Sequence, residues 1–194
     1  MKIPIKLENL ENDIIECSKH LEYLKKISIV SKDLNEFIDG YKIGYNKAVD
    51  SNILNAHCVI TIAQMEMSII LKSLHSSNQE LEKKHLLKNG LLIIYESIKS
   101  IDKFNKKFKD YSYRNKEMEE EFLKYSNELK NFKNKINIDT ELKEIRNNTA
   151  GHINIDFIEY SKLIESIQIE KNIDYLVRFR HIINGLNDFL FKCL

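Results

Sequence analysis

The sequence is poor in the residues that interrupt helices. Its 194 residues include one proline, Pro4, and five glycines. Proline and glycine are the strongest breakers of regular structure, so long uninterrupted helices can form over most of this chain. The apolar residues also recur at helical rather than alternating spacing. We therefore predict an all-α fold.

Cysteine is also scarce, and its positions argue against cross-links and zinc. The three cysteines, Cys17, Cys58 and Cys193, form an odd set with no Cys-x-x-Cys spacing. A disulfide framework or a structural zinc site normally needs paired or clustered cysteines. The sequence therefore predicts a reducing, cytoplasmic setting, with no metal and no other cofactor.

Neither an excess of charge nor a long apolar run marks the chain for a polyanion or a membrane. Thirty Lys and Arg against 29 Asp and Glu leave a net charge of +1. The N-terminus lacks the apolar core of a signal peptide, and the longest apolar stretch, residues 58–74, is interrupted by Gln64, Glu66 and Lys72. We expect neither secretion nor membrane insertion, and any polyanion site must be a local patch.

Apolar stripes at helical spacing predict a bundle of helices. The two clearest stripes are Leu87, Leu91, Ile94, Ile98, Ile101 and Phe108, and Phe122, Tyr125, Leu129, Phe132 and Ile136. The length fits a single domain, residues 1–194, with N-terminal helices over about 8–75 and a bundle over about 78–194. The predicted helices span about 8–28, 32–48, 52–75, 78–109, 116–136, 139–151, 155–169 and 173–192.

Three segments carry signals for the start of a helix. Residues 76–80, SSNQE, resemble a doubled capping box and predict a helix beginning near Asn78. The segments 154–159 and 172–177 each place Asn and Asp before an apolar periodic run, where they can cap free amides. Residues 51–75 would place apolar side chains on nearly every face of a helix, which predicts a central helix covered on several sides. We expect His57 on this helix to pack in the core rather than to bind a ligand.

Arginine is rare, and one arginine opens the most informative segment. The four arginines are Arg114, Arg146, Arg178 and Arg180, and Arg146 lies in EIRNNTAGHIN, residues 144–154. On a helix, Arg146, Thr149 and His152 form a slanting i, i+3, i+6 row. Six residues turn by about 240°, so Arg146 and His152 do not stack. Gly151 can end the helix and let His152 turn toward the arginine.

An arginine, an amide and a histidine suit the cleavage of an RNA phosphodiester. A guanidinium can hold the non-bridging phosphate oxygens and offset the charge that develops in the transition state. A histidine, with a pKa near ~6.5, can take or give a proton at cellular pH. Because the ribose 2'-hydroxyl supplies the nucleophile, this chemistry requires no metal.

Residues 146–152, RNNTAGH, resemble the signature of the HEPN superfamily, a set of small all-helical domains. That signature is an Arg, usually followed by Asn, Asp or His, and then a His after four to six intervening residues. Arg146, Asn147 and His152 match it, with five residues between the arginine and the histidine. The motif also lies on a predicted helix in the C-terminal half of a bundle, as it tends to in that family.

The resemblance implies a HEPN-like up-and-down bundle with extra N-terminal helices, and a metal-independent endoribonuclease. Such proteins are often toxins or phage-defence (abortive-infection) effectors whose two motifs meet across a homodimer, and a partner such as an antitoxin can restrain them. Arg146 would bind the scissile phosphate, His152 would transfer protons and Asn147 would orient one of them. The products would be a 2',3'-cyclic phosphate and a 5'-hydroxyl. Further candidates for RNA contact are Thr149, Lys143 and Arg178.

A non-catalytic interpretation of the same residues remains open. A surface arginine followed by a histidine near a helix C-terminus also interacts favourably with the helix dipole. The chain would then be a helical dimerisation, regulatory or nucleotide-sensing module. The pair Arg114–Asn115 has no histidine four to six residues beyond it and does not match the motif. Arg178 and Arg180 lie on nearly opposite sides of the last helix, so at most one of them faces any given site.

Overall fold

The structure is a computed structural model that describes residues 3–40, 50–149 and 157–194. Within these ranges it contains seven α-helices and one π-helical turn, with no β-strand. The prediction of an all-α fold is confirmed. The helices are α1 (Leu7–Gly40), α2 (Ser51–Ser76), α3 (Glu80–Ser112), α4 (Lys116–Ile136), α5 (Lys143–Thr149), α6 (Phe157–Ser166) and α7 (Ile169–Cys193), and the π turn spans Ile138–Leu142.

The second helix, α2, is the central helix that its composition predicts. It packs against α1, α3 and α7, and His57 on its buried face is completely inaccessible to solvent. Among the described residues, α2 alone is long and apolar enough to cross a membrane, but more than half of that window is buried inside the fold. Core helices of soluble proteins pass the same test, so α2 is weak support for a membrane span.

The predicted apolar stripes of α3 and α4 are buried as expected, against α7. Aromatic rings join α4 to α7, with the centroids of Phe132 and Phe179 5.5 Å apart. Gly90 allows α3 to approach α7 closely, because a Cβ atom there would lie 2.6 Å from Leu176 Cδ2. An alanine at this position would force the two helices apart or displace the leucine.

Two predicted helix boundaries in the first half of the chain are wrong. The break expected between residues 28 and 32 does not exist, since α1 runs from Leu7 to Gly40. No proline or glycine occurs between Ile5 and Asp39, so nothing in the sequence stops that helix. The remainder of the predicted second helix, residues 41–48, lies outside the described residues.

The predicted capping box at residues 76–80 is also wrong. The helix begins at Glu80, two residues after the predicted start, and Gln79 precedes it without a side-chain cap. The Ser77 hydroxyl donates to the Glu82 carboxylate at 2.8 Å instead of accepting a hydrogen bond from a backbone amide. The serine therefore ties the loop to the first turn of α3 through a side chain.

The last helix starts earlier than its Asn–Asp signal predicts. It begins at Ile169, so Asn172 lies inside its first turn, and the Asn172 side chain donates to the Gln168 carbonyl at 2.8 Å. The asparagine bonds back to the turn before it rather than capping the amides after it. Of the similar segment 154–159, residues 154–156 lie outside the described residues.

Candidate active site

The helix that carries Arg146 is reached through the π turn. Asn137 ends α4 with a left-handed backbone, φ 51° and ψ 59°, which asparagine tolerates better than most residues. Its carbonyl oxygen accepts hydrogen bonds from the amides of Thr140 and Glu141 at 3.2 and 3.1 Å. The predicted helix 139–151 is therefore corrected to a π turn followed by the seven-residue helix α5.

Three apolar side chains hold this segment to the bundle and leave the opposite face in solvent. Ile138 and Leu142 are buried, and Ile145 is half-buried against the core. Their spacing of four and three residues draws one helical stripe, which packs against α3. Among the described side chains of α5, those of Lys143, Glu144, Arg146 and Asn147 are exposed.

Arg146 has an exposed acidic partner on α3. Its Nε atom lies 3.4 Å from Glu96 Oε1, and the arginine side chain keeps 49% of its surface exposed. Solvent-exposed ion pairs of this kind contribute only about 0–1 kcal/mol. A phosphate group, which matches the guanidinium fork better than a single carboxylate oxygen at this distance, could therefore replace Glu96.

The other predicted site residues divide into those that the structure describes and those that it does not. Asn147 and Lys143 are both exposed on α5, and Lys143 lies one turn before Arg146, where it shares its side of the helix. Thr149 is the last residue of α5, but its side chain lies outside the described part. His152 and Gly151 also lie outside the described residues, so the arrangement of Arg146 and His152 stays a prediction.

A cleft lined by two lysines and one aspartate borders the turn that leads into α5. It has a volume of about 370 Å³ and lies between α3, α4 and the start of the π turn. Lys133 on its α4 side donates to both carboxylate oxygens of Asp102 at 2.9 and 2.8 Å. Lys99 lines the cleft from α3, one turn beyond the partner of Arg146, Glu96. Two lysines therefore line a cleft beside the turn that leads into α5.

Arg178 lies on a surface apart from α5. It lines a groove of about 460 Å³ between α4 and α7 together with Lys135 and His181, and in the described residues α7 does not pack against α5. Its Nε atom donates to Asp174 Oδ1 at 2.8 Å. Burial alone would raise the pKa of Asp174, but hydrogen bonds from Arg178 and Lys135 hold that pKa below its ordinary value.

Arg180 faces the opposite side of α7, as the spacing predicts. It pairs with Asp13 on α1, and its Nε atom donates to the Ser68 hydroxyl of α2 at 3.3 Å. The Ser68 hydroxyl in turn donates to the Asp13 carboxylate at 3.0 Å. These contacts join three helices, so Arg180 is a structural residue.

Sequence reasoning missed a polar cleft between α1, α2 and α7, which includes His20, Asn184 and Asn187. A signal for it exists in the sequence, because Asn187 interrupts an apolar stripe on α7 between Ile183 and Leu190. Polar residues inside such stripes often mark hydrogen-bonded or binding positions. Nothing in the linear sequence places His20 beside them.

Metal ligands do not gather in the part of the chain that the structure describes. Over residues 3–40, 50–149 and 157–194, no group of three or more His, Cys, Asp or Glu side chains could hold a metal ion. The three cysteines are free thiols, and burial raises the pKa of Cys17 to about 11, with a smaller contribution from Glu16.

No protein-family profile matches the chain, and no curated protein or solved structure matches it significantly. The resemblance to the HEPN superfamily therefore depends on residues 146–152 and on the all-helical fold around them.

Proposed function

We propose that the chain is a metal-independent endoribonuclease of HEPN type, acting as a homodimer with a composite site built from Arg146 and His152. A role as a toxin or phage-defence effector in the cytoplasm, restrained by an antitoxin or regulatory partner, is part of the proposal. One observation carries it: a scarce arginine lies exposed on a short helix, weakly paired, and is followed directly by the exposed Asn147.

In the proposed reaction the substrate supplies its own nucleophile. One His152 imidazole takes the proton of the ribose 2'-hydroxyl, and the 2'-oxygen attacks the adjacent phosphorus. Arg146 holds the non-bridging oxygens and offsets their growing charge. The bond from phosphorus to the 5'-oxygen breaks, and that oxygen takes a proton from the other His152 of the dimer, which begins the reaction as an imidazolium. A 2',3'-cyclic phosphate and a 5'-hydroxyl result.

The other predicted site residues have supporting roles in the proposed reaction. Asn147 would orient Arg146 or His152 by hydrogen bonding. Lys143, one turn before Arg146, would contact a neighbouring phosphate. Thr149 follows Arg146 by three residues and would extend the same row. Arg178 would make a more distant phosphate contact, because it lies in the groove between α4 and α7.

An apolar groove beside Glu96 supports a protein partner. It lies between α2 and α3, and it includes Val59, Ile62, Leu92 and Ile93 as well as Glu96 itself. Val59 and Ile62 are exposed although both belong to α2, the most apolar of the described helices. A second subunit on this groove would bring its own copy of α5 near the first.

The same groove favours the competing proposal, a helical dimerisation, regulatory or nucleotide-sensing module without catalysis. In that case the groove between α2 and α3 would be the functional surface. Arg146 would then serve as a surface residue paired with Glu96.

Cleavage of RNA in the presence of EDTA separates the two proposals. The purified chain should cut structured or unstructured RNA and leave 2',3'-cyclic phosphate ends. Arg146→Ala and His152→Ala should each lower the cleavage rate by about 10²–10³-fold while circular dichroism shows intact helices. Arg146→Lys should restore only part of the activity, since lysine keeps the charge but lacks the planar fork.

Arg114→Ala is the matched control. Arg114 is exposed, precedes an asparagine as Arg146 does, and packs over the Tyr111 ring at 3.8 Å. Its replacement removes the same charge and should leave cleavage unchanged. If the wild-type chain cuts no RNA and slows no growth when expressed, the nuclease proposal is wrong. Sedimentation of the wild-type chain as a monomer would contradict the composite site.

A further inference from the structure

A second candidate site lies in a cleft between α1, α2 and α7, helices that do not pack against α5 in the described residues. The cleft has a volume of about 560 Å³, which is within the range of roughly 300–1,000 Å³ that is typical of small-molecule sites. Polar side chains line it from all three helices, among them His20, Gln64, Asn184 and Asn187.

The floor of this cleft is held by hydrogen bonds between side chains. The buried Asn187 amide donates to Gln64 Oε1, and the Thr61 hydroxyl lies 3.4 Å from Asn187 Oδ1. Behind it, the His57 ring stands perpendicular to the His20 ring, with centroids 4.5 Å apart. These contacts fix the positions of the inner wall without a ligand.

Two buried polar atoms of the lining residues have no partner in the described part of the chain. They are Nε2 of His20 and Oδ1 of Asn184. Buried polar atoms are almost always hydrogen-bonded, so a missing partner here points to a molecule that supplies it. Burial lowers the pKa of His20 and keeps its ring neutral at pH 7, and Asn184 Oδ1 can only accept.

The rim of the cleft favours a flat, uncharged ligand. Tyr23 and Phe191 are 49% and 57% exposed, and their ring centroids lie 6.3 and 5.9 Å from that of His20. Exposed aromatic rings stack readily on heterocycles. The rim also holds the carboxylates of Asp188 and Glu16, and the ammonium of Lys19 is paired with Glu16 at 2.8 Å. A phosphate would be repelled there.

We propose that this cleft binds a nucleobase. An N–H group of the base donates to Asn184 Oδ1, another polar atom of the base pairs with His20 Nε2, and its ring stacks on Tyr23 or Phe191. A free nucleoside and an unpaired base of an RNA strand share this chemistry. The proposal does not depend on the nuclease reaction, because a nucleoside has no phosphodiester to cleave.

Calorimetric titration of the full chain with adenosine, guanosine, cytidine and uridine tests it. At least one nucleoside should bind one per chain with a dissociation constant below about 1 mM. Asn184→Ala and His20→Phe should each weaken binding about tenfold, because each removes one hydrogen-bonding atom. Asn127→Ala, an exposed asparagine on α4, is the matched control and should bind as the wild type does.

Two further variants test the proposal even if a substitution at Asn184 or His20 prevents folding. Tyr23 and Phe191 are exposed, so Tyr23→Ala and Phe191→Ala should fold and at least one of them should bind about fivefold more weakly or worse. Failure of the wild-type chain to bind any nucleoside at about 1 mM would overturn the proposal. So would binding that all four cleft variants leave unchanged.

A single-stranded tetranucleotide of the preferred base distinguishes the two sources. Tighter binding than that of the nucleoside assigns the cleft to an RNA strand. Weaker binding, as Asp188 and Glu16 would cause, assigns it to the free nucleoside. The Arg146→Ala variant should give the same affinity for the nucleoside, so failure of the nuclease proposal and failure of this one remain distinguishable.

Discussion

Arg146 and Arg180 occupy opposite environments in the same bundle. Arg146 keeps 49% of its side chain exposed and meets Glu96 at 3.4 Å. Arg180 keeps only 12% exposed and joins Asp13 and Ser68 on two other helices. Because arginine is scarce in the sequence, both residues were candidates for a functional role. The different exposure of their side chains distinguishes them. The contacts of Arg180 with Asp13 and Ser68 form a seam between α7, α1 and α2. A guanidinium in this seam stabilises the fold, whereas a guanidinium in solvent is available to a ligand.

The largest expected change in stability follows from breaking the seam. Arg180→Ala leaves the Asp13 carboxylate partly buried without its cation, so the free energy of unfolding should fall by about 3 kcal/mol. Arg146→Ala should change it by less than about 1 kcal/mol. Urea denaturation followed by circular dichroism measures both. Equal losses in the two variants would mean that the contrast between the regions does not exist.

Acid should lower the stability of the fold through a buried histidine of α2, whereas α5 is not involved. Burial, with a smaller contribution from His20, lowers the pKa of His57 to about 4. Above about pH 6.5 this histidine is neutral in both folded and unfolded chains, and its protonation has no effect. As the pH falls from 6.5 toward 4, only the unfolded chain takes the proton, so stability falls by about 2 kcal/mol between pH 7 and pH 5.

His57→Phe isolates this contribution. Phenylalanine keeps a ring in the core and removes two buried nitrogens that have no partner in the described residues. The variant should lose about 2 kcal/mol less than the wild type between pH 7 and pH 5. A pH dependence identical to that of the wild type would show that His57 is not the group responsible. His75→Phe, at an exposed histidine, serves as the control.

A smaller effect should distinguish the two outlying candidates for RNA contact. Lys143→Ala should weaken RNA binding about three- to fivefold at low salt and reduce its salt dependence, since the lysine lies one turn before Arg146. Arg178→Ala should weaken it less, because Arg178 is already paired with Asp174 in a separate groove. Binding is measured in the His152→Ala background, with the exposed Lys130→Ala as the control. The reverse order of effects would place the RNA path along α7.

The smallest effect concerns the partner of Arg146. Glu96→Gln removes a negative charge next to the guanidinium, so RNA affinity in the same background should rise about twofold at low salt. Stability should change by less than about 0.5 kcal/mol. Glu22→Gln, an exposed glutamate on α1, controls for the change in net charge. A loss of affinity would show that Glu96 orients the arginine rather than competing for it.

The spacing of apolar residues predicted most helices of the bundle, because the sequence of each helix alone shows which of its faces is buried. The helix predicted over residues 116–136, which carries the stripe from Phe122 to Ile136, has the bounds of α4. The same reasoning failed at Asn172, where a side chain that could cap the following amides bonds back to Gln168 instead. Both arrangements use the same residue types, and the choice between them depends on packing that is not local.

The candidate site was predictable only in part. The sequence placed Arg146 and Asn147 together, since adjacent exposed residues need no tertiary information. It did not reveal the Glu96 partner, which is fifty residues away, or the π turn, which depends on the left-handed Asn137. The cleft that joins His20 to Asn184 was not predictable for the same reason, because it lies between α1, α2 and α7, and α7 is distant in sequence from the other two helices.

The number of residues between the π turn and Arg146 sets the direction in which the arginine side chain points. Ile138, Leu142 and Ile145 fix the rotational phase of α5 against the bundle. Each residue added or removed between Leu142 and Arg146 would rotate the guanidinium by about 100° around the helix axis. Such a change would turn it away from Glu96 without altering any side chain. In related chains, the number of residues from Asn137 to the arginine should vary less than the identity of the exposed residues between them.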